Sequence, residues 1–180
     1  MKKQTGQPQQ RSGPPPPPLW KEALNLLIKI AAAAAAFALL FTFVYGLQRN
    51  TDPDMFPMVK DGDLVMFYRL DKKYGIGDLA VLDYQGERQT RRVVARAGDT
   101  VDITDSGLII NGARQQEREI FAKTERYAAS NVDFPLTVQE GQVFVLGDAR
   151  EDATDSRVYG PVEISDTLGK VMAVLRRRNF

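Results

Sequence analysis

The sequence predicts a mainly β protein, with one antiparallel β domain following a single N-terminal transmembrane helix. Three observations predict it. An uncharged apolar run fills Ile30 to Leu47. Beyond it, short runs rich in β-branched and aromatic residues alternate with turns rich in Gly, Asp and Asn. No long stretch after residue 50 repeats its apolar residues with a helical period.

Three segments are expected: a Pro-rich tail over residues 1–23, the membrane helix over 24–47 and the β domain over 48–180. The tail carries Pro14 to Pro18, which favours a stiff polyproline II stretch and cannot bury a core. It reads as a solvated tail, with a ligand for a Pro-binding module as the functional alternative. At about 1.5 Å per residue the Ile30–Leu47 run makes a helix of roughly 27 Å, and beginning it at Leu24 with Lys29 snorkelling spans a hydrocarbon core of about 30 Å. Trp20 and Tyr45 suit its two interfaces. Gly46-Leu47-Gln48 offers no good cleavage site, so the helix reads as an uncleaved anchor rather than a signal peptide. Lys2, Lys3, Arg11, Lys21 and Lys29 against Glu22 place the basic excess before the anchor, so the N-terminus is expected in the cytoplasm and the domain outside.

In the domain, strands are expected over Leu64–Leu70, Leu79–Tyr84, Arg91–Arg96, Val101–Thr104, Leu108–Ile110, Leu136–Val138, Gln142–Leu146 and Leu168–Leu175. Asp105-Ser106-Gly107 and Asn111-Gly112 bracket one of them as hairpin turns. Residues 113–134 are polar and irregular and read as an excursion or lid, and Arg176-Arg177-Arg178 reads as an exposed basic tip.

Composition excludes much chemistry. The chain has no Cys and no His, so disulfides, thiol nucleophiles, Ser-His-Asp triads and His- or Cys-bound zinc are all ruled out. A net charge of +1 gives no sign of a nucleic-acid partner. No metal or other cofactor is expected.

Three segments stand out as a set: Asp54-Met55-Phe56-Pro57-Met58, then Arg91-Arg92-Val93, then Gly147-Asp148-Ala149-Arg150 followed by Asp155-Ser156-Arg157 and Tyr159-Gly160-Pro161-Val162. With one preceding membrane span, their order and spacing resemble the boxes of bacterial type I signal peptidases over roughly residues 24–175. The resemblance implies a β-rich, membrane-anchored serine endopeptidase that removes signal peptides, with an apolar surface near the site lying against the membrane. Its dyad is a Ser nucleophile and a neutral Lys base.

This chain departs from that pattern at three linked positions. Met55, Pro57 and Arg92 match, but Asp54 stands where the Ser nucleophile is expected and Arg91 where the Lys base is expected. Ala153, the third of these positions, replaces a Ser that orients the Lys; outside the linked set, Met58 replaces a Thr. Arg stays protonated in proteins and cannot serve as a base. No catalytic residue is therefore assigned. Asp54 and Arg91 are expected to pair across the cleft instead, with a bidentate geometry one option. Met55, Pro57, Arg92, Gly147, Asp148, Arg150, Asp155, Ser156 and Arg157 are expected to be scaffold, with Asp155 held by Arg150 or Arg157. Ser156 as a substitute nucleophile is the minor alternative.

Asp in place of Ser resembles the degenerate, pilus-associated members of the family. That implies an accessory factor or chaperone in pilus assembly or export, with membrane lipid, exported or pilin-like clients and sortase as partners. The alternatives are an active signal peptidase with unusual residues, or an adaptor whose cleft is irrelevant.

Overall fold

The computed structural model describes residues 18–117, 120–128, 130 and 132–176. The polyproline reading of residues 14–17 and the basic-tip reading of Arg177 and Arg178 lie outside them.

Helix α1 (Leu19–Leu39) has none of its residues buried in the protein. From Ile30 onward it is apolar all round, so water is a poor solvent for every face. With a π-helical turn at Leu40–Val44 it gives 26 residues long and apolar enough to cross a membrane. The helix therefore begins earlier than the expected residue 24. It also ends earlier than residue 47, because Tyr45–Arg49 are strand β1. Backbone pairing captures these residues: β1 runs antiparallel to β2 (Leu64–Tyr68), from Tyr45 opposite Tyr68 to Arg49 opposite Leu64.

The remaining strands are β3 (Leu79–Tyr84), β4 (Glu87–Arg96), β5 (Thr100–Thr104), β6 (Gly107–Ile110), β7 (Ala113–Arg114), β8 (Leu136–Thr137), β9 (Gln142–Leu146), β10 (Val162–Glu163) and β11 (Thr167–Leu175). They form a seven-stranded sheet in the order β1-β2-β11-β3-β4-β9-β10 and a four-stranded sheet in the order β7-β6-β5-β8. Every pairing is antiparallel.

Strand β4 starts four residues before the expected Arg91. Gln85 (φ 55°) and Gly86 (φ 85°) make a two-residue turn with both central φ positive, which matches strand twist and extends the β3–β4 hairpin back to Glu87. Strand β2 ends at Tyr68 rather than Leu70. One short helix, α2 (Ser156–Tyr159), lies in the third segment.

Alternation sets the faces of β2, where Val65 and Phe67 are buried while Leu64 is exposed. Val65 and Phe67 pack with Met55, Val59 and Val81. A second cluster unites Val94, Ala95, Phe144 and Leu146 of the large sheet with Val101, Ile103 and Leu108 of the small one. The first segment is thus attached to one apolar cluster through Met55, while Val93 of the second lies in a further cluster with Ala80, Leu82, Val143 and Val145.

Gly46 lies against the Phe67 ring. A Cβ built there would come 2.1 Å from Phe67 Cζ. Gly46→Ala is expected to lower the unfolding free energy by about 1–3 kcal/mol through overpacking, measurable by urea titration of the full chain in detergent.

Candidate functional site

The first segment turns tightly before it buries. Asp52 caps a 3₁₀ turn, Pro53–Met55, by accepting the Asp54 N–H at 2.7 Å. Pro53 follows the cap, where its missing N–H costs nothing. Met55 and Val59 are fully buried, whereas Phe56 and Met58 are exposed. The Phe56–Pro57 peptide is cis.

Arg91 projects from β4 to this turn and is fully buried. Its Nη2 donates to Asp54 Oδ2 at 2.5 Å and its Nη1 to Asp52 Oδ2 at 2.7 Å. Nε donates to the Thr154 carbonyl at 2.9 Å, and Nη1 also donates to its neighbour Thr90's carbonyl at 2.7 Å. The guanidinium therefore forks across two carboxylates rather than gripping Asp54 alone with both arms. Asp52 was not singled out from the sequence, although an Asp before Pro-Asp is the N-cap signal that points to it.

The third segment closes the site from the other side. Thr154 N–H donates to Asp54 Oδ2 at 2.9 Å, and Ala149 N–H donates to the Asp54 carbonyl at 2.8 Å. Gly147 lies beside both. A Cβ on it would come 2.3 Å from Ala153 Cβ and 2.7 Å from the Asp54 carbonyl oxygen, so only Gly fits the approach of these segments. Ala153 itself is buried.

Three further Arg–carboxylate pairs hold the frame. Arg92 grips Asp148 with two bonds, Nε–Oδ1 at 2.7 Å and Nη2–Oδ2 at 2.6 Å. Arg157 forks onto Asp155 through Nε and Nη2 at 2.9 and 2.8 Å. Asp155 Oδ2 also accepts the Gly147 N–H at 3.0 Å. Of the two partners expected for Asp155, Arg157 takes the role. Arg150 pairs with Glu117, whose Oε1 lies 2.5 Å from Nη2, and donates through Nε to the Gly147 carbonyl at 2.9 Å. Burial lowers the Arg150 pKa, with Glu117 opposing. Ser156 is fully buried and its Oγ accepts the Val145 N–H at 3.0 Å, a structural bond between α2 and β9.

Glu117 lies in the irregular 113–134 excursion, which is tied down rather than free. Tyr127 donates to the Ala153 carbonyl at 2.9 Å and its ring stacks on the Arg157 guanidinium at 4.4 Å. Ser130 Oγ donates to the Arg157 carbonyl. Sequence spacing gave no hint of these contacts, since they join residues 26 to 33 apart. Arg176 is also not a free tip: it donates to the Met58 carbonyl at 3.0 Å and approaches Asp63 Oδ2 at 3.4 Å.

The electrostatics of Asp54 are set by two opposing demands. Burial raises its pKa, Arg91 pulls it down, and the neighbouring Asp52 adds to the rise, leaving it at about 6 instead of 3.8. Among the described residues, no group of three or more His, Cys, Asp or Glu is placed to hold a metal ion.

A family model described as signal peptidase, peptidase S26, matches residues 22–176, and the chain belongs to this family. The signal peptidase I of Bacillus licheniformis is 31% identical over 150 residues, covering 76% of this chain and 80% of that protein. The signal peptidase IB of Staphylococcus aureus (strain Mu50) is 26% identical over 168 residues, covering 84% and 88%. A crystal structure of a signal peptidase I from Enterococcus faecalis V583 aligns at 30% identity with a TM-score of 0.48, over 56% of this chain and 97% of that one.

Two outcomes follow from the pair at the centre. Because the folded-state pKa of Asp54 lies above its ordinary value, the folded protein holds this proton more tightly than the unfolded chain does. Its contribution to stability is full below about pH 4 and is lost as the pH rises through 6, a change on the order of 2–3 kcal/mol. Asp54→Asn should flatten that part of a stability–pH curve measured by denaturant titration. Arg91→Met, which strips two carboxylates of their shared cation, should cost about 3–5 kcal/mol. Adding Asp52→Asn and Asp54→Asn to it should recover much of the loss.

Proposed function

We propose that this chain is a signal-peptidase-like membrane protein that works by binding rather than by peptide cleavage. Asp54, Arg91 and Ala153 stand at the positions of nucleophile, base and base-orienting residue. One observation carries the reading: the group at the base position is a buried guanidinium with four N–H bonds to acceptors, two of them carboxylates. A proton acceptor is needed there, and a guanidinium in this setting only donates. Asp54 in turn has its Oδ2 engaged by Arg91 and Thr154 and carries no hydroxyl to activate.

The protein would then hold exported or pilin-like chains outside the membrane, acting as an accessory factor or chaperone in pilus assembly or export. Sortase is the partner expected for a pilin-handling factor. The N-terminus would be cytoplasmic and residues 48–180 extracytoplasmic, with lipid around the helix. The basic residues before the apolar run support this orientation. The exchange of Ser for Asp supports the pilus-associated assignment, and sortase and pilin genes beside this one would add to it.

The second reading is an active signal peptidase. The names of relatives aligned over most of their length favour it. Incubation of the purified full chain with a signal-peptide-bearing precursor separates the two. No cleavage product is expected from the natural chain, and cleavage at a rate typical of a peptidase would refute the binding reading. The combined variant Asp54→Ser, Arg91→Lys, Ala153→Ser restores a hydroxyl and a titratable amine, and it is expected to cleave measurably.

A further inference from the structure

The chain leaves its apolar span at Val44, and β1 begins at the next residue. Arg69, just past the end of β2, is tied to this exit twice. Its backbone N–H donates to the Val44 carbonyl at 2.9 Å, and its Nε donates to the Tyr45 carbonyl at 3.4 Å. The guanidinium lies over the Phe67 ring, with Cζ 4.9 Å from the centroid, which limits how far it can swing. Neither Nη has an acceptor among the described residues. Phe41, Tyr45 and Tyr68 follow one another in a row beside this exit, with ring centroids 6.2 and 5.5 Å apart. Amphipathic aromatics favour the boundary between hydrocarbon and water. A half-buried cation therefore sits where the span meets the headgroups.

The neighbouring charges decide what its fork can take. Lys170, opposite Tyr68 in β11, is held by Asp78 at 2.5 Å, and Lys72 reaches the Ser165 carbonyl at 2.8 Å. Asp71 is turned to the Lys73 N–H at 2.9 Å and not to Arg69. A planar fork without an acid partner fits the two unesterified oxygens of a phosphodiester. A zwitterionic headgroup carries its own cation, which offsets the phosphate, so an anionic headgroup gains more from Arg69.

We propose that Arg69 is a seat for the headgroup phosphate of an anionic phospholipid in the leaflet at the Val44 end of the span. The occupant is a lipid rather than free phosphate because the two carbonyls that hold Arg69 belong to the last residue of the span and the one after it. Strand β1 runs from this point toward the Asp52–Asp54 turn, so a bound headgroup would fix how far the cleft stands from the bilayer. The inference goes beyond the binding reading and requires only that the span crosses a membrane, whether the cleft binds chains or cleaves them.

The test is native mass spectrometry of the full chain released from detergent micelles holding equal amounts of phosphatidylglycerol and phosphatidylcholine with matched acyl chains. The natural chain should retain phosphatidylglycerol over phosphatidylcholine by about fivefold or more. Arg69→Gln should lower that ratio by about threefold or more. Arg69→Lys keeps the charge but loses the fork, and its ratio should fall between the two. Lys29→Gln, toward the other end of the span, should lower the ratio less than Arg69→Gln does. Thermal melts in lipid-free detergent establish that each variant is folded. An unchanged ratio in a folded Arg69→Gln or Arg69→Lys variant, no preference in the natural chain, or a larger effect of Lys29→Gln would each overturn the proposal. Displacement of the lipid by inorganic phosphate at equal concentration would reveal a site for free anions and overturn the lipid assignment.

Discussion

The buried charge of Arg91 is the constraint on which the rest of the site depends. A guanidinium taken out of water must recover its hydration from the protein, or the desolvation cost dominates. Here the recovery comes from three places in the chain: the Asp52–Asp54 turn, its own strand through Thr90, and the third segment through the Thr154 carbonyl. Each acceptor is useful only if the others are in register. One cation therefore fixes where a loop and two separate segments of the β domain meet.

The same logic repeats around it. Arg92 with Asp148, Arg157 with Asp155 and Arg150 with Glu117 place four arginines and their acids in a contiguous stretch of the domain. Arg91, Arg150 and Arg157 are among the largest fully buried side chains. Such a frame gives little net stability over an apolar one, but it is exacting about geometry. It holds Gly147 against Ala153 and Asp54 at a distance where no larger residue fits.

Much of this was legible in the sequence. Alternation and turn chemistry located most strands, since Asn111-Gly112 and the apolar runs of β3 and β9 carry their own signals. The converging segments were legible because their motifs are local. Other features were hidden for physical reasons. The conversion of Tyr45–Leu47 from helix to strand depends on pairing with β2, a partner some twenty residues away. The start of β4 was missed because Gln-Gly is a weaker turn signal than Asn-Gly. Glu117 and Tyr127 come from a segment with no periodicity, so nothing in it announces Arg150 or Arg157 as a partner. Asp52 was missed for a different reason: its signal was present but was eclipsed by the motif that begins two residues later.

Direct passage from the apolar helix into β1 also bears on how the domain takes load. The chain leaves the π-helical turn at Val44 and enters an edge strand, which pairs with β2 alone. Tension drawn along the anchor would reach β1 before any central strand. Five residue pairings, Tyr45 to Arg49, separate that pull from Asn50 and the Asp52–Asp54 turn. The clamp on Arg91 is thus the next element in mechanical series after the edge strand, and peeling β1 would first uncover the Phe67 ring against which Gly46 lies.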